Sequence, residues 1–597
     1  MQASQILENR VTELLSQMSL AEKIGQMTQV EKNSITPEEV ASYFIGSVLS
    51  GGGGYPTPNT PESWRAMVTG FQQAALSTRL GIPMIYGVDA VHGNNNVIGA
   101  TIFPHNIGLG ASGDEKTVAH TARLTALEML ASGIHWNFAP CVAVPQDIRW
   151  GRTYEGYAQD TALVSRLGVA YTRGLQNPDG GNLEHPHAVL ASVKHYIGDG
   201  GAEWNSISRF GGDWAPELWG EPDRKTGIDQ GITAGDEDFL RTVFLPPYIE
   251  TIATGARNIM VSYTSWGGLK MHAQKYLLTT VLKEELGFTG FLVSDWNGIS
   301  QIHSNYEFCV EESINAGLDM VMVPFDFKAF IMALTRAVET GRVPMSRIDD
   351  AVRRILRVKL ELDLFARPFG DETLLARVGS PEHRAIAREA VRHSLVLLKN
   401  DQETLPLPKF ASTIFVAGQG ADDLGMQCGG WTLEWQGKSG NHIPGTTFLQ
   451  ALHKSVDAEI HYQIDGNFPE TAGTAEVGLA ILGEPPYAEG VGDRENLYLS
   501  AQDIAVLQTL RARCKKLVVI LYSGRPLLIQ EALPLADAFV AAWLPGTEGD
   551  GITDVLFGDY PFTGKLSYVW PRDASQVPLS AFQASGNDPL FPLGFGL

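Results

Sequence analysis

The chain has 597 residues, 44% of them hydrophobic and 19% charged, which is enough apolar material for more than one core. Its 45 Lys and Arg against 67 Asp and Glu give a formal net charge of -22, and a surface of that sign repels phosphate backbones, arguing against nucleic acid as a partner. The four cysteines (Cys141, Cys309, Cys428, Cys514) lie far apart and form no CxxC pair, so neither a zinc site nor a thioredoxin motif is indicated.

The first 27 residues carry helical periodicity with scattered charges and no apolar h-region, so they do not read as a signal peptide. No run of ~18 apolar residues is present, so no membrane span is expected. A chain that starts here is expected in the cytoplasm, or in the periplasm or outside the cell if it is the mature form of an exported precursor.

Short apolar runs then alternate with amphipathic stretches: 45–50, 82–90, 136–144, 189–196, 259–265, 291–295 and 320–324. Helical patterns such as 114–132 and 271–286 lie between them. Near-continuous apolar strands in repeated β-then-α units predict a parallel sheet, and seven or eight units predict a (β/α)8 TIM-like barrel over residues 1–365. The segment 202–226, with Trp204, Trp214 and Trp219 among Gly and Pro, interrupts this rhythm. It reads as a long loop that either lines a cleft or packs on its own aromatics. Residues 366–411 read as a linker and connecting helix. From 412 to 597 six further apolar runs (413–418, 459–464, 477–483, 517–524, 538–546, 565–570) predict a doubly wound, six-stranded α/β sandwich.

In a parallel barrel, chemistry gathers where strands end. The polar residues ending the apolar runs are Asp89, Arg152 and Glu155, Lys194-His195 with Asp199, Tyr263, and Asp295-Trp296. Many donors and acceptors beside an aromatic plate suit a neutral, polyhydroxylated ligand. Taken singly, each has a plainer reading. In FLVSDWNG, for instance, Asp295 could be a cap on the following helix rather than a nucleophile. In the second half, IFVAGQGADDLG lacks the third glycine of a dinucleotide fingerprint and places Asp422 and Asp423 where a pyrophosphate would sit. GEPPYAEGVGDREN instead reads as a stiff loop carrying Glu484, Glu489, Asp493 and Glu495, and CGGWTLEWQG as a loop carrying Trp431 and Trp435.

The motifs GVDAVHG, RWGRTYEGY, KHYIGDGG, MVSYTSW and LVSDWNG, followed by SLVLLKNDQETLPLP, GGWTLEWQG, GEPPYAEGVGD and FPLGFGL, run through nearly the whole chain. In them the chain resembles glycoside hydrolase family 3, above all its two-domain β-glucan exohydrolases and β-glucosidases. The resemblance implies a (β/α)8 barrel followed by an α/β sandwich. It implies Asp295 as nucleophile and Glu489 as acid/base, the two facing each other across one cleft. Asp89, Arg152, Lys194, His195, Met260 and Tyr263 fall on positions around the innermost sugar, and Trp296 and Trp435 on the pair that clamps the next one. One departure is Gln301, where the exohydrolases carry a basic residue.

The expected activity is retaining, exo-acting hydrolysis that releases glucose from non-reducing ends of β-glucosides and β-gluco-oligosaccharides, as a monomer or homodimer. No metal or organic cofactor is required. Lys194 and Arg152 are expected to keep Asp295 ionised, with Glu489 farther from both cations and holding its proton. A β-glucoside phosphorylase or a β-xylosidase on the same scaffold is the alternative. A silent sugar-binding protein would lack one of the two carboxylates.

Overall fold

The structure is a computed structural model that describes residues 2–206, 227–410, 413–580 and 586–597. The chain divides into two compact units: Met1–Val97, Ala122–Ala143 and Gly168–Val378 form one, and Ile98–Thr121, Val144–Leu167 and Gly379–Leu597 the other.

The first unit contains eight parallel strands: β1 (Thr28–Glu31), β2 (Ser47–Ser50), β3 (Ile85–Val88), β4 (Trp136–Asn137), β5 (Leu190–Tyr196), β6 (Asn258–Val261), β7 (Phe291–Val293) and β8 (Val321–Met322). They run in the order β8-β1-β2-β3-β4-β5-β6-β7. A parallel bridge between Val293 and Met320 joins the two ends, so the sheet closes as a TIM-like barrel. Every strand is buried along its length, which is why the sequence shows continuous apolar runs rather than alternation. β1 lies just beyond the helical N-terminal stretch; its TQVE has too little apolar character to announce a strand.

Two early helices of the barrel unit start on capping residues. Ser19 and Thr36 each form a capping box with a glutamate three residues on, Glu22 and Glu39, and Pro37 opens the second of these helices. The helix Met345–Glu361 buries Ile348, Val352, Ile355 and Leu356, a one-faced stripe at helical spacing. Each of these side chains stabilises the fold by about 1.5–3 kcal/mol through burial. No helix among the described residues is long and apolar enough to cross a membrane.

The second unit holds a six-stranded sheet of β9 (Val396–Asn400), β10 (Thr413–Ala417), β11 (Glu459–Gln463), β12 (Ala475–Gly483), β13 (Cys514–Tyr522) and β14 (Ala538–Trp543). The order is β9-β14-β13-β12-β10-β11, with β9 antiparallel to β14 and the other pairs parallel. Its core stacks Val416, Leu479, Ile481, Val518, Ile520 and Val540, all essentially inaccessible.

The strand count matches expectation, but the membership differs. Residues 565–570 are not a sheet strand. Residues 566 to 570 are buried without a break, Leu566, Ser567, Tyr568, Val569 and Trp570 alike, and so imitate one. Their backbone pairs instead with the chain's own C-terminus, Leu566 with Phe595 and Gly594, and Trp570 with Phe591. The sixth strand is β9, which lies inside the stretch that reads as a linker.

Candidate active site

The carboxyl ends of the barrel strands carry one group of side chains. β3 runs into Asp89, whose carbonyl accepts the amide N–H groups of Asn95 (2.8 Å) and Asn96 (3.0 Å). Its carboxylate accepts from Lys194 Nζ at 2.7 Å. Lys194 is almost fully buried, so this pairing offsets the cost of removing its charge from water.

Lys194 and His195 are sequence neighbours on β5, yet both serve this group. Side chains of adjacent strand residues point to opposite faces. The register between β5 and β6 shifts between Val193 and Tyr196, and such a bulge re-aims side chains. His195 Nδ1 lies 2.8 Å from Asp199 Oδ2, which fixes the ring, and its Nε2 lies 3.6 Å from Asp295 Oδ2.

Asp295 lies two residues past the end of β7 and is mostly buried. Its Oδ1 accepts the N–H of Trp296 at 2.6 Å, and its own N–H donates to His272 Nε2 at 3.1 Å. Burial pushes the His272 imidazole down to about 3, so that nitrogen stays a neutral acceptor. Gly298 is required beside it, because a Cβ there would stand 2.5 Å from His272 Nε2. Asp295 does not cap the next helical turn: that position belongs to Asn297, in the left-handed region, and the side-chain cap bond is missing.

Trp296 is held from two sides. Tyr263 donates its hydroxyl to the Trp296 carbonyl at 2.5 Å. The indole lies over Gly51, where a Cβ would come within 2.9 Å of the ring, and meets Phe325 edge-on at 5.6 Å. Met260 is buried on β6. Gln301 donates to Gln230 at 2.9 Å. Trp204 lies within the described residues; Trp214 and Trp219 lie outside them.

The second unit carries its own group. Arg152 and Glu155 follow β4 in sequence but belong to this unit. Arg152 grips Glu155 with two parallel bonds of 2.9 Å, and its remaining nitrogen, Nη1, lies 3.2 Å from Glu489 Oε1. The expectation that Glu489 stands apart from both cations is therefore corrected. Trp431 Nε1 donates to Glu155 at 3.2 Å, and the Trp431 N–H donates to the carbonyl of Trp435, a half-buried residue, at 2.9 Å.

Glu489 has a backbone φ of 52°. A glutamate in that region needs firm support on both sides. The side-chain amide of Gln436 clasps Ala488, accepting its N–H at 2.9 Å and donating to its carbonyl at 3.2 Å. Tyr154 donates to the Tyr487 carbonyl at 2.6 Å. The fully buried Arg525 lies 4.7 Å over the Tyr487 ring, donates to the Gly492 carbonyl at 2.7 Å, and pairs with Glu484 at 3.4 Å. Asp493 accepts the Gly151 N–H at 2.8 Å. The loop is thus fastened before and after Glu489.

Sequence reading passed over His272, Arg525 and Gln436. His272 sits in a helical pattern and Arg525 in SGRPL, neither of which signals a role. Among the described residues, Cys141, His195 and Asp199 bring potential ligand atoms within 4.8 Å of one another. The 2.8 Å bond between His195 and Asp199 accounts for two of the three.

A barrel whose strand ends carry a buried carboxylate, a lysine paired with a second carboxylate, and an indole, with a second unit presenting a braced glutamate, defines a carbohydrate-cleaving class of protein. Residues 19–211 and 219–358 match the glycosyl hydrolase family 3 N-terminal domain, and 395–597 the family 3 C-terminal domain. The chain belongs to glycosyl hydrolase family 3. It is 32% identical to a lysosomal beta glucosidase of Dictyostelium discoideum, over 98% of this chain and 75% of that protein. It is 30% identical to a periplasmic beta-glucosidase of Salmonella typhimurium, over 98% of this chain and 80% of that one. The fold superposes on an exo-1,3/1,4-beta-glucanase from a Pseudoalteromonas species with a TM-score of 0.90 and 37% identity, covering 99% of this chain and 74% of that chain.

Proposed function

We infer that this protein is an exo-acting β-glucosidase that releases glucose from β-glucosides and β-gluco-oligosaccharides. The observation that carries the reading is the setting of Asp295, with one oxygen fixed by the Trp296 N–H and the other turned to His195, at the end of a barrel whose strands also carry the paired Lys194 and Asp89. Such a group offers a fixed carboxylate to an anomeric carbon and several hydrogen bonds to ring hydroxyls. Family membership and the β-glucosidase relatives support it.

In this reading Asp295 is the nucleophile and Glu489 the acid/base. Asp89, Lys194, His195, Met260, Tyr263 and Arg152 surround the first sugar, and Trp296 and Trp435 are stacking surfaces for the next. The chemistry is retaining. Asp295 attacks the anomeric carbon while Glu489 protonates the leaving oxygen; Glu489 then takes a proton from water, which releases glucose with its β configuration. His195, oriented by Asp199, is suited to a sugar hydroxyl beside the reacting carbon. The barrel carrying Asp295 is taken to lie within residues 1–365, and the sandwich carrying Glu489 within 412–597.

A panel of nitrophenyl β-glycosides, with and without phosphate, tests the reading. Fastest release from the glucoside, independent of phosphate, is expected. Preference for the xyloside would move the assignment to β-xylosidase, and phosphate-dependent formation of a sugar phosphate would move it to a phosphorylase.

A further inference from the structure

The sheet of the second unit reverses its order of strand addition beside β10. From β10 the chain goes to β11 on one side, then β12 pairs on the other. Loops leaving the carboxyl ends of β10 and β12 therefore diverge, and open α/β sheets bind ligands in the crevice this creates. A cleft of about 530 Å³ occupies that place. Gly418 and Gln419, just past β10, and Glu484, just past β12, line it; Tyr498 and the start of the helix Ala501–Arg513 complete it.

The chemistry of the cleft favours a neutral ligand. Glu484 is buried, and its oxygens accept from Tyr487 (2.9 Å), the Gly524 N–H (3.1 Å) and Arg494 (3.3 Å). Arg494 gives its other N–H groups to the carbonyls of Asn496 and Tyr498. These two charges are thus matched internally, the third charged side chain of the lining is a carboxylate, Asp503, which accepts from the Ser500 hydroxyl at 2.7 Å, and the cleft offers an anion little. The exposed amides of Gln419 and Asn496 supply donors and acceptors. Tyr498, 39% exposed, adds an aromatic surface of the kind on which pyranose rings stack.

We propose that this cleft is an accessory sugar site that binds one mono- or disaccharide in its pyranose form. The site is separate from the residues assigned to hydrolysis. Glu484 at its floor also anchors the segment carrying Glu489, through Tyr487 and Arg525.

Calorimetric titration of the full chain with glucose tests this, using Ala501→Trp to fill the cleft and Tyr498→Ala to remove the stacking surface. The first should have one glucose site fewer than the wild type, and the second should bind at that site at least tenfold more weakly. Both should hydrolyse an aryl β-glucoside within about twofold of the wild-type rate. The same number of sites with the same affinities in all three proteins overturns the proposal. If the hydrolytic reading fails instead, no variant hydrolyses the glucoside, while the difference in glucose sites remains.

Discussion

Arg152 pairs with Glu489 at 3.2 Å while holding Glu155 through two bonds of 2.9 Å. One buried guanidinium thus holds two carboxylates. Replacing it with Met leaves both acids buried without their cation. Breaking a buried pair from one side costs about 3–5 kcal/mol. Arg152→Met is expected to unfold at lower urea and to lose at least a hundredfold in kcat/KM. Activity within twofold of the wild type would mean that Glu489 does not depend on Arg152 for its placement.

Glu489 as the proton donor makes the rate sensitive to the leaving group. An aryl group that departs readily needs little protonation, whereas a sugar or alkyl group needs it fully. Glu489→Gln should therefore retain much of the wild-type glycosylation rate on dinitrophenyl β-glucoside and lose about a thousandfold on methyl β-glucoside. Equal losses on both would remove the acid role.

His272 acts on Asp295 through the backbone. Its Nε2 accepts the Asp295 N–H at 3.1 Å inside the barrel. His272→Phe leaves that donor without its partner, a cost of about 1–3 kcal/mol in stability. The expected kinetic signature is a fall in kcat of about tenfold with KM little changed. His272→Gln, whose amide oxygen can accept the same bond, should recover most of it. If Gln is no better than Phe, the role of His272 is packing alone.

Three buried histidines set an acid limit. Burial pushes His105 and His135 down to about 4 and His272 to about 3, from an ordinary 6.5. Below pH 6.5 the unfolded chain binds protons that the folded chain refuses, so the stability present above 6.5 is lost as pH falls through these values. The loss is on the order of 1.4 kcal/mol per pH unit for each histidine. Urea midpoints should fall steeply from pH 6.5 to pH 4, and less steeply in His135→Asn. A flat profile over that range would contradict the burial argument.

Both folds were legible because parallel strands buried on both faces leave continuous apolar runs, as in IPMIYGV and FLVSD. The run 565–570 misled, because a segment packed against the chain's own terminus is as continuously buried as a central strand. β9 was hidden beside a helix and a proline-rich stretch. In the barrel, the strand-end rule picked out Asp89, Lys194, His195, Tyr263 and Asp295, and the structure brings Asp89 to Lys194 and His195 to Asp295. The rule could not tell that Arg152 and Glu155 pack with the second unit, since membership there depends on contacts with residues more than three hundred positions away, such as Glu489. Nor could it find His272, which acts through the Asp295 N–H, or Arg525, which braces the Glu489 loop through the Tyr487 ring, Glu484 and the Gly492 carbonyl.

In the proposed mechanism Asp295 forms the bond to the sugar. A 2-deoxy-2-fluoro-β-glucoside with a good leaving group should react once per chain and stop, because the fluorine slows hydrolysis of the glycosyl-enzyme more than its formation. Proteolysis and mass spectrometry then locate the sugar. A single adduct on Asp295 is expected, and none in Asp295→Asn. An adduct on another carboxylate, or no adduct together with a first-formed product of inverted configuration, would contradict it.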